Sequence, residues 1–166
     1  MNHVPLTRFY TVRGKYGLWA RIWITDDGCF TCLSDHGNYG YWWSHPGCEF
    51  REFLCGVDDG YLTTKLSAGE KELDAESTTR RVRDTILRQR REGALDRDEA
   101  QNEWDLWRET AFEDEFSRNE WYSHTRLGDA YEYMVYRPPI QVQMFVKHLW
   151  PLFVEQLRAE LAAEAA

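Results

Sequence analysis

The stretch Leu18–Ser34, LWARIWITDDGCFTCLS, decides how this 166-residue chain begins to fold. Aliphatic residues alternate with aromatic and basic ones from Leu18 to Thr25, and this period of two is typical of a strand with one buried face. Asp26-Asp27-Gly28 follows, and its Asp-Gly pair favours the positive φ of a tight reversal. The sequence therefore predicts an antiparallel hairpin, completed by Cys29–Ser34, with one aliphatic face and one aromatic, basic face.

The residues on either side of this hairpin extend it into a larger sheet. Phe9–Arg13 is a short β-rich run that Gly14–Gly17 closes. Gly37–Gly40, with the sequence GNYG, is predicted to form a second turn, because glycine and asparagine favour turns, and Tyr41–Trp43 is predicted to be the next strand. The first 43 residues thus predict an antiparallel meander of three or four strands.

Helical periodicity replaces this alternation at Ser44. Ser44 is predicted to cap a helix, with Pro46 in the first turn, where its missing N–H costs nothing. A second short helix is expected at Tyr61–Leu66. The first helix has an apolar stripe that can lie across the sheet, made by Phe50, Phe53, Leu54 and Val57.

The C-terminal residues predict a helix of the central core. Pro138-Pro139 opens it, Pro151 is expected to kink it, and the Ala/Glu tail from Ala159 is expected to fray. For Tyr131–Tyr136, a strand and a short helix both stay open. The apolar face of the final helix is wide and consists of Val142, Phe145, Val146, Leu149, Leu152, Phe153 and Leu157.

Composition and pattern together predict the α+β class. A hydrophobic content of 43% and an aromatic content of 15% exclude intrinsic disorder for most of the chain. Ser67–Gly69, followed by an acidic stretch, is the predicted linker. We expect an antiparallel sheet with one or two short helices at residues 1–69, and a helical region at residues 70–166 that packs on it as one compact unit.

Charge changes sign between two adjacent helical segments. Arg80–Glu92 contains six arginines against Asp84 and Glu92, whereas Asp96–Glu120 contains ten carboxylates against three arginines. Segments with so one-sided a charge either compensate each other within the fold or face a charged partner. This reversal is the most informative functional pattern in the sequence.

The two charged segments also carry helix signals. Ser77 or Thr78 is predicted to cap the basic helix, whose apolar seam of Val82, Ile86 and Leu87 is too narrow for a central core element. Asp96 and Glu99 form a capping-box-like start of the acidic helix. The acidic helix is expected to end near Phe112 or to carry its last turn into solvent. Whether it covers the basic helix stays open.

The acidic run has more charge than the basic helix can neutralise, since seven net negatives face four net positives. Aromatic residues interrupt it, as in an interface with an apolar centre and an anionic rim. The predicted partner-binding residues are Glu109, Glu113, Asp114, Glu115, Glu120 and Trp121. An alternative surface consists of His36, Tyr39, Trp42 and Trp43.

The overall charge and the hydropathy pattern limit the partners. A net charge of −8 argues against direct, sequence-independent nucleic-acid binding and favours a basic protein surface. No run reaches the ~18 apolar residues of a membrane span. Met1–Arg8 lacks the features of a signal peptide, so the chain is predicted to be cytoplasmic, with its four cysteines reduced. Nothing in the pattern indicates the oligomeric state.

Four residues have the spacing of a zinc site: Cys29 and Cys32, followed by His45 and Cys48. However, Cys29 and Cys32 lie in a strand-like run, where odd and even positions point to opposite faces. No turn former separates them to build a zinc knuckle. Small reduced thiols are therefore the favoured interpretation, and metal binding stays the alternative.

A catalytic loop is a second alternative. Asp35-His36 with Asn38 could hold a general base near neutral pH, but the same residue types serve the turns of a loop. No partnered nucleophile accompanies them, so no catalytic residue and no cofactor is predicted. His124 and His148 are interpreted as hydrogen-bonded neighbours of the core.

A family resemblance is carried by Gly37–Trp43 (GNYGYWW), Phe50–Leu54 (FREFL), and Tyr61 with Lys65. These residues resemble small proteins of bacteriophages and prophages, and the resemblance covers about Phe9–Leu66. It names no activity. It implies a context in which small acidic proteins without a catalytic motif often inhibit host defence, as anti-CRISPR proteins do when they occupy the nucleic-acid-binding surfaces of their targets.

Two functional hypotheses result. The first is a non-enzymatic phage inhibitor that binds a basic surface of a host defence protein, such as a CRISPR effector complex, through the acidic helix. The second is a small enzyme or zinc-dependent module that uses the Cys/His loop region.

Overall fold

The structure, a computed structural model, describes residues 4–166 and has the predicted α+β class. A four-stranded antiparallel sheet at the N-terminus is followed by helices. The described residues group into two units. Unit 1 comprises the residues up to Lys71 together with Pro138–Ala166, and unit 2 comprises Glu72–Arg137. Met1–His3, part of the segment considered above for a signal peptide, lie outside the described residues.

The sheet of unit 1 contains β1 (Thr7–Arg13), β2 (Trp19–Thr25), β3 (Cys29–Ser34) and β4 (Gly37–Trp42), in that order. Strands β5 (Glu72–Leu73) and β6 (Tyr136–Arg137) pair with each other in unit 2. The helices are α1 (Phe50–Gly56), α2 (Asp59–Leu66), α3 (Ala75–Glu92), α4 (Arg97–Glu109), α5 (Glu115–His124), α6 (Ile140–His148) and α7 (Trp150–Glu164). None of the helices described between residues 4 and 166 is long and apolar enough to span a lipid bilayer.

The alternation in β2 works as the sequence predicts. Ala20, Ile22 and Ile24 are buried, whereas the side chains between them are exposed or half-buried. Both neighbouring strands pair with β2 antiparallel, so that Ile22 lies opposite Tyr10 of β1 and Cys32 of β3. The predicted meander is therefore confirmed with four strands, and its aliphatic face forms one side of the hydrophobic core.

The second turn lies elsewhere than predicted. Gly37–Gly40 belongs to β4, and the chain reverses at Asp35 and His36, because Ser34 already pairs with Gly37. Gly37 has a φ of +118°, which allows so short a connection. The prediction of a turn at GNYG was wrong because pairing with β3 outweighs the local preference of glycine and asparagine.

The first helix begins later than Ser44. Its cap is Glu49, whose carboxylate accepts a hydrogen bond from the backbone N–H of Glu52. Gly47 has a φ of +81°, outside the helical region, so the segment between Ser44 and Glu49 cannot continue as a helix. The predicted apolar stripe is present, with Phe50 and Leu54 buried.

Rings fill the core of unit 1. Phe30 is fully buried, and its ring centroid lies 5.8 Å from that of Trp150 and 6.2 Å from that of Phe153. Leu149 ends α6, and Pro151 lies in the first turn of α7. Instead of one kinked helix, the chain therefore forms two separate helices here. Both helices contribute buried residues to this core, as predicted.

The C-terminal tail is helical rather than frayed. Its helix extends to Glu164 because Arg51, only 5% exposed, anchors it. The Arg51 guanidinium donates to both carboxylate oxygens of Glu164, at 2.7 and 2.6 Å, and forms a 2.9 Å ion pair with Glu49. These hydrogen bonds lower the pKa of Glu164. The prediction of fraying was wrong because Arg51 is more than one hundred residues away in sequence.

In unit 2, Asp74 rather than Ser77 or Thr78 caps α3, since its side chain accepts the backbone N–H of Ser77. Asp96 and Glu99 form the predicted capping box of α4. Tyr131–Tyr136 is neither one strand nor one helix, because a 3-10 turn at Ala130–Tyr133 precedes β6.

The basic helix α3 contributes to the core of unit 2 more than predicted. Val82 and Ile86 are buried, and Thr78 and Thr85 widen the buried seam. Leu87, which the apolar pattern included, is 38% exposed. The expectation that α3 cannot be a central core element was wrong because two threonines take apolar positions.

Candidate functional site

Five predicted partner-binding carboxylates lie at the end of α4, in the following turn and on α5. We call this set the acidic surface: Glu109, Glu113, Asp114, Glu115 and Glu120. All five residues are exposed. The acidic helix ends at Glu109, slightly before the predicted end near Phe112, and Thr110 adopts an extended conformation. Asp114 then starts α5 by accepting the backbone N–H of Ser117 at 2.7 Å.

The aromatic residue at the centre of this surface differs from the prediction. Trp121 is 1% exposed, and its ring packs edge-on against Phe112 at 5.3 Å, so it cannot contact a partner. Phe116 instead is 76% exposed. It lies four residues before Glu120 on α5, and residues at this spacing share a helix face. Among the aromatic residues of this run, Phe116 is therefore exposed enough to contact a partner, whereas the predicted Trp121 is not.

Arginines lie near one edge of the acidic surface, where Glu113 lines an open hollow together with Arg80 and Arg83. Within residues 4–166, no salt bridge joins any carboxylate of the acidic surface to an arginine. The α3 arginines that form ion pairs bind carboxylates of their own helix: Arg80 pairs with Glu76 at 2.9 Å, and Arg83 with Asp84 at 2.8 Å. The partial compensation expected between the two charged segments therefore does not occur through ion pairs.

The arginines of the basic helix stay exposed, although α4 packs against α3 and Trp107 Nε1 donates to Thr79 O at 3.0 Å. Arg80, Arg81, Arg88, Arg90 and Arg91 are all exposed. The first three line an open groove of about 590 Å³, together with Ser77, Asp84, Thr85, Glu132, Tyr133 and Val135. Such a groove can attract anions. Its signal in the sequence was the arginine cluster, for which internal compensation and a charged partner both stayed open.

Glu103 is a buried charged residue that sequence reasoning missed. Its side chain is 2% exposed and accepts hydrogen bonds from Thr125 Oγ1 at 2.6 Å and from the backbone N–H of Arg126 at 2.7 Å. It holds α4 to the segment after α5. The available signal was its position three residues after Ala100 on the apolar face of α4.

The alternative surface does not form one face. Trp42 is 61% exposed, and its Nε1 donates to Asp27 O at 2.8 Å. Trp43 is buried and donates to the Tyr61 hydroxyl. Tyr39 packs on Phe145 of the core at 5.1 Å, and burial raises its pKa to about 12. Of the predicted set, Trp42 alone is fully available to a partner, since His36 and Tyr39 are half-buried.

The cysteines and the loop of Asp35 and His36 differ in burial and in hydrogen bonding. Cys32 is buried, which raises its pKa to about 12, whereas Cys48 is exposed. In the part of the chain that the structure describes, no three His, Cys, Asp or Glu side chains come together as metal ligands. Asp35 accepts the backbone N–H of Trp19 at 2.7 Å, so its carboxylate is already used to position β2.

Comparison with known proteins gives one match. A protein-family model described as a phage family matches residues 3–159, nearly the whole chain. No curated protein and no solved structure matches it. The match extends the resemblance noted at Phe9–Leu66 into the charged helices.

Proposed function

The chain belongs to that phage family, and on this premise we propose that it acts by binding rather than by catalysis. It is a phage-encoded inhibitor that binds a basic surface of a host defence protein, such as a CRISPR effector complex. The acidic surface and Phe116 form the contact.

The observation that carries this proposal is the uncompensated charge around an exposed ring. Five exposed carboxylates lack ion pairs, and Phe116 lies among them at 76% exposure. An apolar centre within an anionic rim gives an interface its affinity from the ring and its association rate from the charges. Unit 2 carries 17 Asp and Glu against 11 Lys and Arg, so the long-range field of this unit has the same sign.

A host surface that holds nucleic acid suits this contact. Such surfaces present Lys and Arg at the spacing of phosphates, and carboxylates on a protein can take the place of those phosphates. The inhibitor then competes with the nucleic acid that the host protein must bind. This mechanism requires no catalytic residue.

An interference assay tests the function. Bacteria with an active CRISPR effector that targets a phage are supplied with the chain on a plasmid. We expect the plating efficiency of the targeted phage to rise and that of an untargeted phage to stay unchanged. Unchanged plating across the main CRISPR effector types would contradict the proposed target class.

Charge-neutral variants test the surface. Glu113, Glu115 and Glu120 are replaced together by Gln, and Asp114 is left in place because it caps α5. The matched control replaces Glu52, Glu70 and Glu155, three exposed carboxylates of unit 1, so both variants lose three charges. We expect slower association with the captured effector for the first variant alone, and a difference that shrinks above ~0.1 M salt, where the screening length falls below ~10 Å. Equal rates for the two variants would refute a specific role of the acidic surface.

A further inference from the structure

We propose that the outer face of the β1–β4 sheet binds a single strand of nucleic acid. The outer face is the side opposite the aliphatic core, and register places its side chains in rows across the strands. One row contains Phe9 and Trp23, the next contains Thr11, Arg21 and Leu33, and Arg13 with Trp19 follows. At the other end, Trp42 lies opposite Cys29.

Two aromatic rings on this face are more than half exposed. Phe9 is 54% exposed and Trp42 is 61% exposed, and Trp23 is half-buried beside Phe9 at a centroid distance of 5.1 Å. The hydrogen bond from Trp42 Nε1 to Asp27 O fixes the orientation of that ring. Gly40 has no side chain, and a Cβ there would meet nothing nearer than Phe30 O at 3.7 Å, so the space beside Trp42 is open.

Charge on the outer face has one sign. Arg13 and Arg21 are its charged residues, and neither forms an ion pair within the described residues 4–166. With Thr11 and Trp19 they line an open hollow of about 310 Å³. A hollow with two guanidinium groups and an indole matches one phosphodiester with its base, since arginine binds phosphate and the indole stacks on the base.

The net charge of the chain does not prevent this contact. Unit 1 carries nine Lys and Arg against eleven Asp and Glu, a net charge of −2, so most of the −8 belongs to unit 2. The carboxylates nearest in sequence to the outer face lie at the turns. Asp35 is bonded to the backbone of Trp19, and Asp26 and Asp27 lie in the β2–β3 turn, where Asp26 accepts the backbone N–H of Leu6. The field over the rows between them is set by the two arginines.

A single strand fits better than a duplex or an acidic protein segment. Only unpaired bases can stack on side-chain rings, at about 1–3 kcal/mol per base. Two arginines neutralise too few phosphates to hold a duplex, whose binding depends on many such contacts. A single strand carries a flat base beside every phosphate, whereas an acidic protein segment has a flat ring only where its sequence includes an aromatic residue.

Fluorescence anisotropy with labelled oligonucleotides tests the proposal. A mixed-sequence single-stranded dodecamer, as DNA and as RNA, is compared with the DNA duplex at low salt. We expect saturable binding of a single strand, quenching of tryptophan emission, and much weaker binding of the duplex. The DNA and RNA forms identify the preferred sugar. Absence of saturable binding, or equal affinity for the duplex, would overturn the proposal.

Two pairs of variants locate the site. Phe9→Ala/Trp42→Ala should lower the affinity roughly tenfold or more, whereas Phe116→Ala, at an exposed ring of unit 2, should not change it. Arg13→Gln/Arg21→Gln should reduce the slope of log affinity against log salt by about 0.7, because the two guanidinium groups contact one phosphodiester and each phosphate contact of a single strand contributes about 0.7. Arg90→Gln/Arg91→Gln on α3 is the matched control. Circular dichroism checks the fold, and Phe9→Leu/Trp42→Leu replaces the alanine pair if that pair unfolds.

Two further outcomes separate this site from others. Analytical sedimentation tests whether a second copy covers the outer face. A stable dimer that Phe9→Ala/Trp42→Ala dissociates would overturn the proposal. The Gln variant of Glu113, Glu115 and Glu120 should bind the oligonucleotide unchanged. If this variant loses binding to the host protein but still binds the oligonucleotide, the two sites are independent.

Discussion

The two units bury different kinds of groups. Within residues 4–71 and 138–166 of unit 1, 20 buried hydrophobic residues form the core, which includes the ring cluster around Phe30, and the buried guanidinium of Arg51 binds the C-terminal tail. Among the described residues of unit 2, eight hydrophobic residues form the core, and Glu103, Thr78 and Thr85 are buried with them. Burial of apolar area is thus the main stabilisation of unit 1, whereas unit 2 relies more on hydrogen bonds to side chains and on helix caps.

This difference has a functional meaning. A unit whose stability comes from an apolar core can expose rings on one sheet face and still fold, because the opposite face is well filled. A unit with a small core and many charges places its carboxylates on the surface, where their field attracts cations. We therefore expect binding variants to be tolerated in both units, and core variants to differ between them.

The largest expected effect is in the core of unit 1. Phe153→Ala should lower the free energy of unfolding by about 4 kcal/mol, because the fully buried ring leaves a cavity beside Phe30 and Trp150. Phe112→Ala in unit 2 is the matched variant. Hydrogen exchange should show the loss of protection in β2 and β3 for the first, and in α3 and α4 for the second. Equal loss in all four elements would remove the distinction between the units.

Two glycines with positive φ give the next contrast. A Cβ on Gly28, at φ +92°, would lie 2.1 Å from Trp43 O, whereas Gly93, at φ +77°, has nothing within 4 Å. Gly93→Ala should cost about 1 kcal/mol, the strain of the left-handed conformation. Gly28→Ala should cost about 3 kcal/mol, because the hairpin must move to relieve the contact as well. Urea denaturation measures both, and similar costs would show that the β2–β3 turn adapts freely.

Removal of the buried carboxylate sharpens the description of unit 2. Glu103→Ala should cost about 2 kcal/mol, because Thr125 Oγ1 and the N–H of Arg126 lose their acceptor. Asp105→Asn, an exposed residue on the same helix, should change stability by less than about 0.5 kcal/mol. Thermal unfolding of the two variants tests this. If Glu103→Ala matches the control, the polar bonds of unit 2 contribute little, and the contrast with unit 1 fails.

The smallest expected effect is a change of folding stability with pH. Hydrogen bonds from Arg51 lower the pKa of Glu164 in unit 1, and the backbone N–H of Ser77 lowers the pKa of Asp74 in unit 2. A carboxyl whose folded pKa lies below its unfolded value of about 4 contributes stability above that value, and loses it as the pH falls through the folded pKa. Glu164→Gln and Asp74→Asn should therefore approach the parent in stability at pH 3. If each variant differs from the parent in stability by the same amount at pH 7 and at pH 3, the lowered pKa values are contradicted.

The strands could be predicted because their signal is local. In β2, burial follows the identity of each residue, so a window of eight residues is sufficient. The turn at Gly37–Gly40 could not be predicted this way, because its four residues favour a turn, and only pairing with β3 makes them a strand. The helix caps could be predicted only in part. Asp96 with Glu99 follows a known spacing, whereas the caps Glu49 and Asp74 depend on where the preceding chain bends.

The candidate site was predicted by its charge but not by its rings. Counting carboxylates located the acidic surface, because exposed charges need no partner to stay exposed. Which aromatic residue is buried depends on contacts between helices, so Trp121 and Phe116 could not be told apart along one helix. Arg51 and Glu103 were missed for the same reason, since their partners lie 113 and 22 residues away.

The pairing of β5 with β6 bears on how such a gene can change. Glu72 lies opposite Arg137 and Leu73 opposite Tyr136, so the chain enters unit 2 and leaves it through two adjacent antiparallel strands. Residues 74–135 can then be replaced by a two-residue Asn-Gly turn without moving the ends that connect to unit 1, because such a turn joins paired strands. Unit 2 can therefore be exchanged as one continuous segment during evolution. Recombination between phage genomes would then exchange the charged helices for others and leave the sheet of unit 1 unchanged.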